Sequence, residues 1–225
     1  MASALSDNTW TDLDGRRMVL VIPVGSVEQH GPHLPLDTDT RIAVALATRV
    51  AAQRDDLVLA PPVAFGSSGE HADFPGTLSI GAEALSMVLV ELGRSADHFE
   101  GVVFVNGHGG NLEPLQRARK LLQSEGRTVL VWSVTLPEAD LHAGHTETSL
   151  LLSIDPQSVR TDCIAPGDTR PLTDILDIMR TGGVKAVSAN GVLGDPTTAN
   201  AADGHELVQQ LVDRLAKEID RAFPR

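Results

Sequence analysis

Cysteine is almost missing from this sequence, and so are most features that announce a partner. The single Cys163 excludes any disulfide within the chain and any thiolate cluster able to hold a structural zinc; alone, it reads as a small apolar filler. Basic charge is scarce too. Eighteen Lys and Arg stand against 30 Asp and Glu, for a net charge of −12. With no basic stripe present, that balance argues against a nucleic-acid partner. The most apolar run, "MVLVIPV" at 18–24, is far too short to span a bilayer. The opening "MASALSDNTW" has neither a basic n-region nor an apolar h-region, so no secretion signal is expected. No internal repeat, no low-complexity tract, no HExxH, no Walker A loop and no GxGxxG fingerprint occurs. The expectation is a cytoplasmic protein that partners neither membrane nor nucleic acid.

What is present is a core and a pattern. A hydrophobic content of 42% over 225 residues supports one sizeable core, and a single domain spanning 1–225 is expected. Residues 18–24, 57–60, 101–106 and 128–134 read as strands. Residues 39–53, 83–98, 112–124 and 206–223 read as helices, with a shorter helix at 172–181. Residues 146–154 fit either a buried helix or a strand, 135–145 a loop, and 159–195 is the least regular stretch. Asp or Thr is placed to cap the helix that opens near Asp39. Alternating strands and helices predict an α/β fold, a mostly parallel sheet with helices on both faces, whose ligands bind beyond the carboxyl ends of the strands.

The polar clusters fall at those ends. "GSVEQHGPHLPLDTD" at 25–39 crowds Glu28, His30, His33, Asp37 and Asp39 between an apolar strand and an apolar helix. In an extended segment Glu28 and His30 point the same way, and Asp39 is placed to add a third ligand. Carboxylates and imidazoles without thiolates suit zinc, manganese or iron(II); the alternative is a polar loop with a capping aspartate. "NGHGGN" at 106–111 offers His108 as its one metal-capable side chain, among glycines that let backbone approach a ligand. "DLHAGHTETS" at 140–149 brings Asp140, His142, His145 and Glu147, again suited to metal or acid–base work. Glu70 and His71 sit in the Gly/Ser loop 66–81, where a lid, a subunit contact and catalysis are all open. His98 and His205 read as surface histidines.

Four stretches, "EQHGPHLPLDTD", "EHADFPGTLSIG", "NGHGGN" and "HAGHTETS", together resemble the creatininase family, in order and across nearly the whole chain. "HAGHTETS" with "GVLGDPTTA" at 191–199 looks closest to that family's mycofactocin-system branch, whose members trim a modified precursor peptide during redox-cofactor maturation. The resemblance implies a three-layer α/β/α fold and two divalent metal ions. Carried over by position, Glu28, Asp39 and His108 would serve one ion, and His30 and Asp39 the second, with Asp39 bridging. Creatininase itself has a glutamate ligand where this chain has Gly110, so Glu147 becomes the candidate anion for the second ion. His142 aligns with the acid–base histidine; it and Glu147 are the candidate catalytic residues. The Trp-rich lid that encloses creatinine is missing, since Trp132 falls in a strand and Trp10 near the start of the chain.

The resemblance therefore implies metal-activated water attacking an amide carbonyl, a modified precursor peptide as substrate partner, and a homo-oligomer, a hexamer by analogy. A cyclic-amide or formamide hydrolase on the same scaffold is the nearest alternative, and a metal-binding protein without chemistry of its own a more distant one.

Overall fold

The computed structural model describes residues 3–136 and 139–225. In chain order the elements are β1 (Ser3–Ala4), α1 (Trp10–Leu13), β2 (Val19–Val24), α2 (Thr38–Ala51), β3 (Leu57–Leu59), α3 (Gly81–Ser95), β4 (Gly101–Asn106), α4 (Leu112–Ser124), β5 (Val129–Ser133), α5 (His145–Ile154), α6 (Leu172–Gly182) and α7 (Ala201–Ala222). The five strands form one sheet in the order β1-β3-β2-β4-β5, and every pairing in it is parallel.

Period-two alternation explains why the chain folds into three layers. Val19, Val21, Val103, Val105 and Trp132 point to one face and pack with residues of α2, α5 and α7, among them Ile42, Leu46, Leu150 and Leu215. Leu20, Ile22, Val24, Val102 and Phe104 point to the other face, against Leu85 and Leu89 of α3 and Leu115 and Leu122 of α4. Central strands buried on both sides need no polar face, hence the unbroken apolar runs of β2 and β4. A separate small cluster of Ile175, Val184 and Leu193, with Phe74 and Met179 against it, seats α6.

The structure adds to the sequence reading in four places. Residues 146–154, left open between helix and strand, are helical. The short elements β1 and α1 carry too few residues for periodicity to register; α1 is set by a capping box, Thr9 N–H donating to Asp12 Oδ2 at 2.8 Å. The last helix starts at Ala201 rather than 206, capped by Asn200, whose side chain accepts from the Asp203 N–H at 2.9 Å. Gly204, which reads as a breaker, is there because α7 crosses α5 closely: a Cβ would come within 1.8 Å of the Ser149 carbonyl oxygen. The third helix ends at Ser95, which leaves His98 exposed in the turn that follows. Of the 135–145 loop, residues 137 and 138 lie outside the described residues.

Candidate metal centre and active site

Because all strands run parallel, the carboxyl ends of β2, β4 and β5 share one edge of the sheet, and three loops leave from it. The first, from Gly25, turns back on itself at Gly31 (φ +65°), with His30 bridging Leu34 and Glu28 N–H donating to Leu36 O at 2.9 Å. It then enters α2. No side chain caps that helix: Asp37 pairs with Arg41 at 2.7 Å, and Asp39, in the first turn, is directed into the interior. The capping expectation is thus replaced by a buried carboxylate.

Glu28, His30 and Asp39 are essentially inaccessible, and His108 and His142 nearly so. His30 Nδ1 lies 3.1 Å from its own segment's Glu28 carbonyl oxygen, to which it donates; this leaves Nε2, 3.0 Å from Asp39 Oδ1. His108 Nε2 donates to the Ser67 carbonyl at 3.0 Å, and its Nδ1 faces Asp39 Oδ2 at 3.2 Å. Ser26 Oγ donates to the same Asp39 oxygen at 2.7 Å. Glu147, on the first turn of α5, accepts from the Ala143 N–H at 2.6 Å and lies 3.9 Å from His30 Nε2. Three sets of potential ligand atoms result, each within 4.8 Å of one another: Glu28, Asp39 and His108; His30, Asp39 and Glu147; and Glu28, His30 and His142.

The electrostatics of the cluster ask for a cation. Both oxygens of Glu28 are buried without a well-aligned hydrogen bond and face only imidazoles, His108 Nε2 at 3.1 Å from Oε2 and His71 Nε2 at 3.4 Å from Oε1, an arrangement that costs several kcal/mol per ion unless opposite charge compensates it, roughly as for any desolvated carboxylate. Protons on the imidazoles supply part of that charge. Burial pushes the Glu28 carboxyl up, yet the neighbouring His108 outweighs it and the pKa falls to about 2. Burial likewise disfavours charged His30, but Asp39 beside it raises the pKa to about 10. His108 is held above its usual range by Glu28 and Asp39 against burial, and Asp39 below its range by His30 and His108. Glu147 is raised by burial to about 7. His142 goes the other way: burial, and His30 and His71 nearby, hold it neutral. Imidazoles that donate one nitrogen to a backbone carbonyl and direct the other at carboxylates are arranged as metal ligands are.

The structure thus brings Glu28, His30, Asp39, His108, His142 and Glu147 to one point. It places other candidates elsewhere. His33 Nε2 pairs with Thr148 Oγ1 at 2.9 Å, and His145 is partly exposed between Thr198 and Asp203. Asp140 accepts from the Thr146 N–H at the start of α5. His71, left open by the sequence, belongs to the cluster: it is buried, its ring centroid lies 4.5 Å from that of His142, and burial lowers its pKa to about 4. Glu70 Oε1 lies 3.6 Å from His108 Nε2, and a Cβ on Gly110 would come within 2.7 Å of the same oxygen. Gly110 therefore leaves room for a carboxylate delivered from another loop. Gln29 was missed altogether, since an amide between two titratable residues gives no chemical signal of its own. A cavity of about 390 Å³ opens on the cluster, walled by Leu141, Leu172, Leu176, Met179, Val184 and Leu193. Neither tryptophan lines it; Trp132 is in the core and Trp10 is exposed.

A family model described as Creatininase: Creatinine amidohydrolase matches residues 6–219. The chain belongs to the creatininase family. Membership makes it a hydrolase of C–N bonds, built on the three-layer fold described above. Among creatininase-family relatives, a protein of Mycolicibacterium smegmatis (strain ATCC 700084 / mc(2)155) named mycofactocin precursor peptide peptidase is 52% identical over 228 residues, covering 99% of this chain and 92% of its own. A solved mutant creatininase of Zn-Zn type superposes with a TM-score of 0.83 at 28% identity, over 100% of both chains. The solved structure named Creatininase Mn gives a TM-score of 0.82 at 26% identity, again over 100% of both. Among the described residues, no creatininase-family helix here is long and apolar enough to cross a membrane.

Proposed function

We propose that this creatininase-family chain is a metal-dependent peptidase that trims the C-terminal end of a modified mycofactocin precursor peptide, releasing a short peptide. Glu28, Asp39 and His108 hold one divalent cation in this reading, and His30, Asp39 and Glu147 a second, each zinc, manganese or iron(II). The observation that carries it is the shared carboxylate: Asp39 is common to the two ligand sets this reading uses, with one oxygen 3.0 Å from His30 and the other 3.2 Å from His108, while both buried oxygens of Glu28 beside it face only imidazoles. A donor set of carboxylates and imidazoles with no thiolate suits these ions. The 52% identity to a named precursor peptide peptidase supports the peptide substrate.

When bound, the ions supply Lewis acidity toward the scissile carbonyl and toward a water. The remaining work falls to the side chains. Neutral His142 takes a proton from that water as its oxygen bonds to the carbonyl carbon, then returns the proton to the leaving nitrogen as the C–N bond breaks. The products are a carboxylate and an amine. Glu147 completes the second ligand set and stands at the reacting centre. The apolar residues of α6 give the peptide's end a dry wall to lie against. One domain spanning 1–225 carries the activity, working in the cytoplasm as a homo-oligomer, a hexamer by family resemblance; exposed Phe65, Leu78 and Met87 offer apolar surface for subunit contact.

The test is cleavage by metal-loaded protein of the modified precursor peptide, with creatinine and a formamide alongside, read by mass spectrometry. The expected result is two fragments from the peptide and no turnover of the small amides. Turnover of creatinine or the formamide with an intact peptide overturns the proposal.

A further inference from the structure

Gln29 lies between Glu28 and His30, yet no step above uses it. Its side chain is buried and fully engaged. The Gly31 N–H donates to its Oε1 at 2.8 Å, and its Nε2 donates to the Gly191 carbonyl at 3.0 Å. Those two bonds fix which end of the amide is which, because a backbone N–H only donates and a carbonyl only accepts. One amide proton remains, with His142 Nε2 at 3.0 Å and His71 Nδ1 at 2.8 Å in reach; His142 Nε2 also faces the Gln29 carbonyl oxygen at 2.8 Å, which only accepts, so His142 Nε2 is a donor and the amide proton goes to His71 Nδ1. That nitrogen must accept, so neutral His71 carries its proton on Nε2, 3.4 Å from Glu28 Oε1.

The same residue sorts His142 through its main chain. His142 Nε2 lies 2.8 Å from the Gln29 carbonyl oxygen and 3.0 Å from the Gln29 amide nitrogen. Because that carbonyl only accepts, His142 Nε2 is the donor to it. Its Nδ1 is then bare, 3.8 Å from Glu28 Oε1. The support for this arrangement comes from "GVLGDPTTA", the stretch that marks the branch but has no part in the chemistry so far. Leu193 N–H donates to His142 O at 2.8 Å, and His142 N–H to Leu193 O at 3.2 Å. Gly191, two residues earlier, has φ +81°, and a Cβ there would come within 1.9 Å of Gln29 Oε1. Only glycine lets its carbonyl reach the amide. One loop therefore grips both the backbone of His142 and the side chain of Gln29.

We infer that Gln29 is a positioning residue that makes the two imidazoles complementary, so that His71 presents an N–H to the cluster and His142 a lone pair. What His142 does with that lone pair rests on the hydrolase mechanism above; the hydrogen-bond assignment does not. The test uses zinc-loaded, ¹⁵N-labelled protein and long-range ¹H–¹⁵N correlation spectra of the histidine rings. In the wild type, Nε2 is protonated and Nδ1 is not, for both His71 and His142. Gln29→Glu keeps the shape but offers only acceptors, so His71 Nδ1 gains a proton and kcat falls about 10–100-fold with KM little changed, the usual scale for losing an outer partner of a metal site. Gln29→Met, with neither donor nor acceptor, lets the His71 proton exchange between both nitrogens. A wild-type His71 protonated on Nδ1, or a Gln29→Glu enzyme with the His71 signature and kcat unaltered, overturns the inference. The wild-type spectrum decides the assignment even where a variant does not fold, and a wild type that cleaves no peptide counts against the substrate alone.

Discussion

Removing Asp39 deletes the carboxylate that lies 3.0 Å from His30 and 3.2 Å from His108. Asp39→Ala is therefore expected to abolish both metal uptake and hydrolysis, measured by elemental analysis and peptide cleavage; a metal-free but active variant refutes the bridging role. His142→Ala should keep the metals while turnover falls by about 10²–10⁴-fold, and unchanged turnover would shift the proton transfer to His71. The protons on the cluster predict a third outcome. His30, raised to about 10 by Asp39 against the pull of burial, and His108, also raised, both carry protons at neutral pH. A cation must displace them, so the apparent zinc affinity rises with pH until the His30 pKa of about 10 is passed, with proton release visible by calorimetry in buffers of different ionisation enthalpy. Affinity independent of pH contradicts it. At this scale the sequence was partly legible. Glu28, His30 and His108 stand out because titratable residues are out of place beside buried strands. His71 does not, because its loop has no periodicity and only tertiary packing carries it to His142. Asp39 rather than Asp37 is singled out by its place at the expected helix start, and the phase of the first helical turn is what directs Asp39 inward while Asp37 pairs with Arg41 outside.

At the scale of elements, the site depends on where α5 is held. Glu147 sits on its first turn, and α7 packs along it at the Gly204 crossing. Gly204→Ala pushes a methyl group against the Ser149 carbonyl; it is expected to destabilise the protein by about 1–3 kcal/mol, as overpacked sites do, read by urea unfolding. Weakened zinc binding in the same variant would show that the displacement reaches Glu147, whereas unaltered stability would mean that the crossing relaxes freely. The strands β2 and β4 and the helices α2 and α4 were legible because burial on both faces of a strand, or on one stripe of a helix, writes a period into the residues. The opening turns of α7 were not, since Gly204 serves a contact with a distant helix and looks locally like a stop. Nor were β1 and α1, whose few residues carry no period at all.

For the whole molecule, the proposed metal binding makes cation affinity and stability one equilibrium. The metal-free protein keeps its carboxylates compensated only by protons, and His30, raised to about 10, contributes stability that is complete below its unfolded pKa of about 6.5 and lost as pH climbs through 10. Zinc at a hundred times its Kd should add about 2.7 kcal/mol and raise Tm by several degrees, and EDTA should reverse the shift. A chelator-insensitive Tm contradicts the coupling.

The spread of the ligand residues along the chain has a further consequence, for biogenesis. Glu28, His30 and Asp39 leave the ribosome long before His108, and Glu147 later still, on a helix that needs α7 to settle it. A nascent chain displays acids and imidazoles with no finished cradle around them. In the two-ion reading proposed above, cation acquisition is thus expected to come late, once α7 has settled α5, and protein made without the ion is expected to be a completed but loosened polypeptide more open to proteolysis.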